Sequence, residues 1–257
     1  MNFTKSSNPA FKNAFGNQTQ TSSSSEVMTL NGTINKTILS LLLVIAAATY
    51  TWKLVLFDGA NAMTWTFGGA IGGFIVAMVT IFKKEWAPYT TPVYAALEGL
   101  FLGGVSALIA GAFTSEADAG INSNIVLQAV ALTFGVFFIM LFAYRSGKIR
   151  ATPKFTRGMI AALGGVAVFY IGSWILSLFG FDLSLFHGNG LIAIGINLVI
   201  VVIAALSLIL DFDMIEKGVA YGAPRYMEWY GAFSLLITLV WLYLEILKLL
   251  ARLASRD

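Results

Sequence analysis

The 257-residue chain has no cysteine, a single histidine, and charged side chains at only 11% of its positions. Without cysteine there are no disulfides, no thiol nucleophile, no iron–sulfur cluster and no thiolate zinc site. One histidine excludes the multi-histidine centre of a zinc-dependent membrane hydrolase. Serine–histidine chemistry would need His187 inside a span, and it falls in a connector between two short apolar runs. Soluble domains carry about 25% charged residues, so a water-facing surface of this size cannot be assembled here. A net charge of +3 spread along the chain also argues against a nucleic-acid partner. A lysine deep in the last span, as a retinal protein requires, is missing as well: Lys248 stands near its end. No internal repeat of the transporter kind is visible.

What is present is hydrophobic sequence, 58% of the residues. A helix needs about 20 apolar residues to cross the roughly 30 Å hydrocarbon core. Seven runs meet that length, at about 37–57, 64–82, 92–113, 124–144, 158–179, 190–210 and 229–249. In lipid each backbone polar group must be satisfied within its own segment, so the spans are expected to be helices. The expected architecture is an all-α, polytopic bundle of seven transmembrane helices over 34–257. Residues 1–33, rich in Asn, Ser, Thr and Gln, read as a disordered tail. The first apolar run begins too far along for a cleavable signal peptide. Within the tail Asn8-Pro9-Ala10-Phe11 is echoed by Asn13-Ala14-Phe15, either by coincidence or as a docking segment.

Twelve basic residues fall on the side of the tail and of the even-numbered connectors. Lys53, Lys248, Arg252 and Arg256 fall on the other side. The positive-inside rule then places the N-terminus in the cytoplasm and the C-terminus outside. Glycine pairs in the second span (Gly68, Gly69, Gly72, Gly73) and the third (Gly99, Gly103) are spaced for close helix packing. They do not form a phosphate-binding loop.

Acids inside spans are the informative signal, since each costs roughly 2.5–3.5 kcal/mol at the centre of a helix. Glu98 lies within the third span and Glu245 within the seventh. Asp211 closes the sixth, followed by Asp213 and Glu216. Glu98 also reads as a solvated rim residue, and Glu245 as one half of a pair with Lys248 three residues on. Asp213 and Glu216 read best as a polar helix end, with a functional role secondary. Asn197, inside the sixth span, reads as an interhelical hydrogen-bonding residue. None of these patterns points to an enzyme.

The strings Leu210-Asp211-Phe212-Asp213-Met214-Ile215-Glu216 and Leu242-Tyr243-Leu244-Glu245-Ile246-Leu247-Lys248 resemble the C-terminal half of the Bax inhibitor (TMBIM)/YccA-like family. Glu98-Gly99 resembles an acidic-glycine element of that family. Asn-Pro-Ala-Phe and Trp-Leu-Tyr-Leu-Glu look like its bacterial branch. The resemblance implies a bundle with the last helix at its centre, in a bacterial inner membrane. It also implies a pH-sensitive calcium leak gated by two acids that share a proton. Asp211 matches the first acid, and Glu245 the second, where the family more often has Asp. On this reading calcium is the transported ion, held by Asp211 and Glu245, and no cofactor is needed. The remaining partners are lipids and protons. The alternative that the YccA-like branch implies is a regulator of a membrane-anchored FtsH-type AAA protease, acting through the N-terminal tail.

The two acids stand 34 residues apart. If the seventh span starts at Trp229, Glu245 lies ~24 Å along it. Asp211 and Glu245 are therefore expected to act separately rather than as a touching pair, with Glu98 nearer in depth to Asp211.

Overall fold

The computed structural model describes residues 27–56, 61–112, 124–181, 188 and 190–255. Seven helices in it are long and apolar enough to cross a membrane. They are α1 (Leu30–Leu56), α2 (Ala62–Phe82), α3 (Ala87–Ala112), α4 (Asn124–Arg145), α5 (Pro153–Leu178), α6 (Leu191–Ala220) and α7 (Met227–Ala254). Their outer faces are hydrocarbon. Phe74, Ile139 and Val168 are 65%, 67% and 72% exposed, as a lipid-facing surface requires and a water-facing one does not tolerate. Several hydroxyls inside the bundle bond back to their own helix, among them Thr37 to Thr33 O, Thr80 to Val76 O, and Thr133 to Ala129 O. That satisfies them without water.

The last helix is the centre of the bundle. α7 touches α1, α3, α4 and α6, and Phe233, Leu236, Leu242 and Leu247 on it are fully buried. Around it, α3 packs most closely on α1 and α2. The approach is set by glycine: a Cβ at Gly99 or Gly103 would lie 2.5 or 2.4 Å from the carbonyl oxygen of Val44 or Ala48 on α1. Gly69 meets the α3 backbone in the same way, but Gly68 has open space beside it, so only part of the expected glycine face is used. By contrast α5 has one buried residue, Met159, and packs mainly on α6. Between α1 and α4, walled by α3 and α7, lies an apolar cavity of about 430 Å³ lined by Val44, Ala48, Trp52, Leu102, Val130 and Leu236, among others.

Several edges differ from the sequence reading. α1 begins at Leu30, inside the stretch assigned to the tail, and Val27 already pairs with Pro224. The helical region therefore begins ahead of Ile34, and residues 1–26 of the expected tail lie outside the described residues, as does His187. α3 starts at Ala87 instead of 92, because Pro88 sits in the first turn, where its missing N–H costs nothing. α5 starts at Pro153 for the same reason, capped by Thr152, whose hydroxyl accepts from Phe155 N. α6 runs to Ala220, ten residues past the expected end, because Phe212 and Ile215 are buried against the bundle, with an Asp213–Lys217 ion pair of 2.6 Å across one turn as a small addition. Asp211, Asp213 and Glu216 thus lie in the last turns of the helix, as the polar-end reading expects.

Candidate functional site

Among the described residues four carboxylates lie inside the bundle: Glu98, Asp211, Glu228 and Glu245 are each less than a tenth exposed. The sequence singles out three of them. Glu228 stands just ahead of the seventh apolar run, with nothing in the sequence to mark it, yet it is buried as deeply as Glu245, at 2%.

Glu228 sits in the first turn of α7 and closes the start of α1. Thr29 is the N-cap of α1, its hydroxyl accepting from Gly32 N at 3.0 Å. The Thr29 N–H and hydroxyl both donate to Glu228 Oε1, at 2.8 and 2.7 Å. In a capping box the acid at the third helical position returns a bond to the cap's own N–H. Here that position is Gly32, and Glu228 supplies the acid from another helix. A Cβ on Gly32 would lie 2.1 Å from Glu228 Oε1, so the glycine makes room for the visiting carboxylate. Lys36 completes the site with an ion pair to Glu228 Oε2, its ammonium also standing 5.5 Å from the Trp229 ring centroid. Met28 N donates to Ala223 O at 2.7 Å, fastening the incoming chain to the α6–α7 turn.

Asp211 is different in kind. Its Oδ1 accepts from Ser234 of α7 at 2.5 Å, with Thr238 a turn further along on the same side. Its Oδ2 is buried and has no hydrogen-bond partner. Among the described residues neither Asp211 nor Glu98 has an ion-pair partner. Glu98 interacts with the Tyr94 phenol one turn back on α3, and its Oε2 faces Gly73 of α2. Glu98 lies ~16 Å along α3 from its start and Asp211 ~14 Å from the end of α6. Those two helix ends are at the same end of the bundle, where Thr91 donates to Trp229 O. The two acids therefore share a depth, although no hydrogen bond joins them.

Glu245 occupies another layer, ~27 Å from the start of α7. Oε1 accepts from Lys248 Nζ at 2.6 Å and from Tyr170 Oη of α5 at 2.9 Å. Oε2 accepts from Asn197 Nδ2 of α6 at 2.8 Å. Lys248 also donates to Tyr170 Oη at 3.3 Å and lies 5.1 Å from the ring centroid. Ser234 and Glu245 are eleven residues apart on α7, roughly 16 Å. Asp211 and Glu245 thus hold separate partner sets and do not converge on one cation. Among the described residues no three His, Asp or Glu side chains form a metal cluster. Asp213 is taken up by Lys217, and the exposed Glu216 accepts from the Tyr144 hydroxyl.

An apolar exterior, seven spanning helices and carboxylates held at three levels define an integral membrane protein with acidic groups inside its bundle. The chain belongs to the Bax inhibitor 1 like family, whose match covers residues 8–255 and so begins within the segment that reads as a tail. That membership is in keeping with a channel or regulator role in a membrane. No curated protein and no solved structure matches the chain.

Proposed function

We propose that the protein is a pH-sensitive calcium leak channel in a bacterial inner membrane, its N-terminus cytoplasmic, with Asp211 as the carboxylate that exchanges a proton for the cation. One observation carries the reading. Asp211 is buried in a membrane-spanning helix with no counter-ion and one oxygen without a hydrogen bond. An ionised carboxylate in that setting is costly unless a positive charge reaches it. A proton or a hard cation meets the need, and calcium prefers oxygen ligands. Glu98, at the same depth and also without an ion pair, is the second oxygen source at this level. Glu245 serves a separate layer. No bond of a substrate is made or broken in this role, and no cofactor takes part.

The test is calcium flux into liposomes carrying the purified protein, measured against pH. Asp211→Asn mimics the protonated acid permanently, so flux in that variant loses its dependence on pH, while the wild type keeps it. An unchanged pH profile in Asp211→Asn removes Asp211 from the role. Flux absent from the wild type at every pH removes the channel reading.

A second reading, control of a membrane-anchored FtsH-type protease, draws on the start of the bundle. The chain enters at Val27 against the α6–α7 turn, and the family match extends back to residue 8, taking in Asn8-Pro9-Ala10-Phe11. Deleting residues 1–26 leaves Thr29 on Glu228. Loss of protease control with calcium flux intact favours this reading, and intact control refutes it.

A further inference from the structure

Glu245 is bound by an ammonium that belongs to its own helix, and the groups around that ammonium are oxygens. Lys248 Nζ is 2.6 Å from Glu245 Oε1 and 3.3 Å from Tyr170 Oη. The other carboxylate oxygen is held by Asn197 through Nδ2, which also donates to the Glu245 backbone oxygen at 3.3 Å; Asn197 Oδ1 is left buried with no hydrogen-bond partner. Rotation of that amide about one bond exchanges its nitrogen for its oxygen on the carboxylate side. The carboxylate, the phenol and the amide oxygen then form a set that a hard metal cation accepts, with water completing the six to eight ligands calcium takes. The Lys248 side chain is 41% exposed, so its stem can carry the ammonium away toward the interface while the other three groups stay in place. Arg252, one turn on, is directed to Ala193 O at 2.9 Å in the first turn of α6.

We infer that Lys248 is a tethered cation competing with a divalent metal ion for a second site formed by Glu245, Tyr170 and Asn197. This rests on the reading that the acids of the bundle bind cations, but its site is the layer remote from Asp211. While the lysine is bound the layer is closed to metal, and a metal ion enters only by displacing it. The lysine thereby sets the cation concentration at which this layer responds.

Terbium, which takes calcium's place among oxygen ligands and emits when a nearby tyrosine is excited, reads the site without any flux measurement. The full chain in detergent is titrated with terbium as wild type, Lys248→Met, Lys248→Met with Glu245→Gln, and Lys248→Met with Tyr170→Phe. Lys248→Met is expected to tighten binding by about tenfold or more, within the usual span of coupling between competing ligands. Adding Glu245→Gln abolishes that gain, and Tyr170→Phe lowers the emission per bound ion. Equal terbium affinity in wild type and Lys248→Met overturns the inference. Removal of the ammonium also leaves a buried charge unpaired, so Lys248→Met gains thermal stability from millimolar calcium where the wild type does not. If neither Lys248→Met nor Lys248→Gln stays folded even in calcium, the inference fails too, because the metal has not replaced the ammonium. Failure of the leak reading leaves this binding result standing, and a negative terbium result leaves the Asp211 flux test untouched.

Discussion

The two ends of α7 each hold a glutamate at 2% exposure, and each glutamate is bound by a lysine. They are alike in burial and opposite in construction. Glu228 collects its donors from the start of α1, a backbone N–H among them, from 192 to 199 positions away in the chain. Glu245 takes its lysine from three residues on in its own helix. Losing the first set separates two helices, whereas releasing the second lysine separates nothing. A buried ion pair is a poor guide to stability until one knows which elements it joins. By that measure the Lys36–Glu228 pair is architecture, while the Lys248–Glu245 pair is exchangeable.

Breaking the Glu228 end should have the larger effect. Glu228→Ala strands Lys36 and the Thr29 N–H together, and a loss of about 3–5 kcal/mol is expected, as for a buried pair deprived of one partner. Thermal unfolding in detergent reads the loss, and hydrogen exchange places it at Thr29–Thr33. Glu245→Gln retains an acceptor for Tyr170 or Asn197 and lets Lys248 move outward, so its cost stays near 1–3 kcal/mol. Equal losses for the two would erase the distinction. A smaller effect sharpens it by isolating an uncharged contact beside the central helix. Ser106 Oγ and Tyr243 Oη are 2.7 Å apart and both residues are buried. Ser106→Ala is expected to cost about 1–2 kcal/mol by leaving the phenol without its partner, with no change in the pH profile of flux.

Much of the framework is legible in the sequence, because lipid imposes a length and a polarity rule that single residues obey. The seven apolar runs became seven helices, and Gly99 and Gly103 met α1 as their spacing suggests. The edges were harder to read. Pro88 and Pro153 lie outside the apolar runs yet inside the helices, each in a first turn, and α6 outlasts its apolar run because Phe212 and Ile215 are buried on the same face. The depth of Glu98 relative to Asp211 followed from counting residues, and so did the separation of Asp211 from Glu245. Glu228 did not. Its role depends on a cap whose third position, Gly32, has no side chain, and the acid that fills the vacancy lies at the far end of the chain. A threonine followed by glycine where a capping box has glutamate is a visible gap, but nothing local says what fills it.

α5 carries a consequence of another sort. Beyond Arg157 its apolar residues 158–178 span ~32 Å, close to the roughly 30 Å of a hydrocarbon core, and Met159 is its one buried residue. Where the bilayer thins, such a helix tilts, and the tilt is limited by whatever packs against it. For α5 that is little beyond α6 and the Tyr170 hydroxyl on Glu245. A thinner or thicker membrane therefore loads this stave before any other, and passes the load to the Glu245 layer through a single phenol. Lipid chain length becomes a mechanical input to the bundle, applied where its hold is weakest.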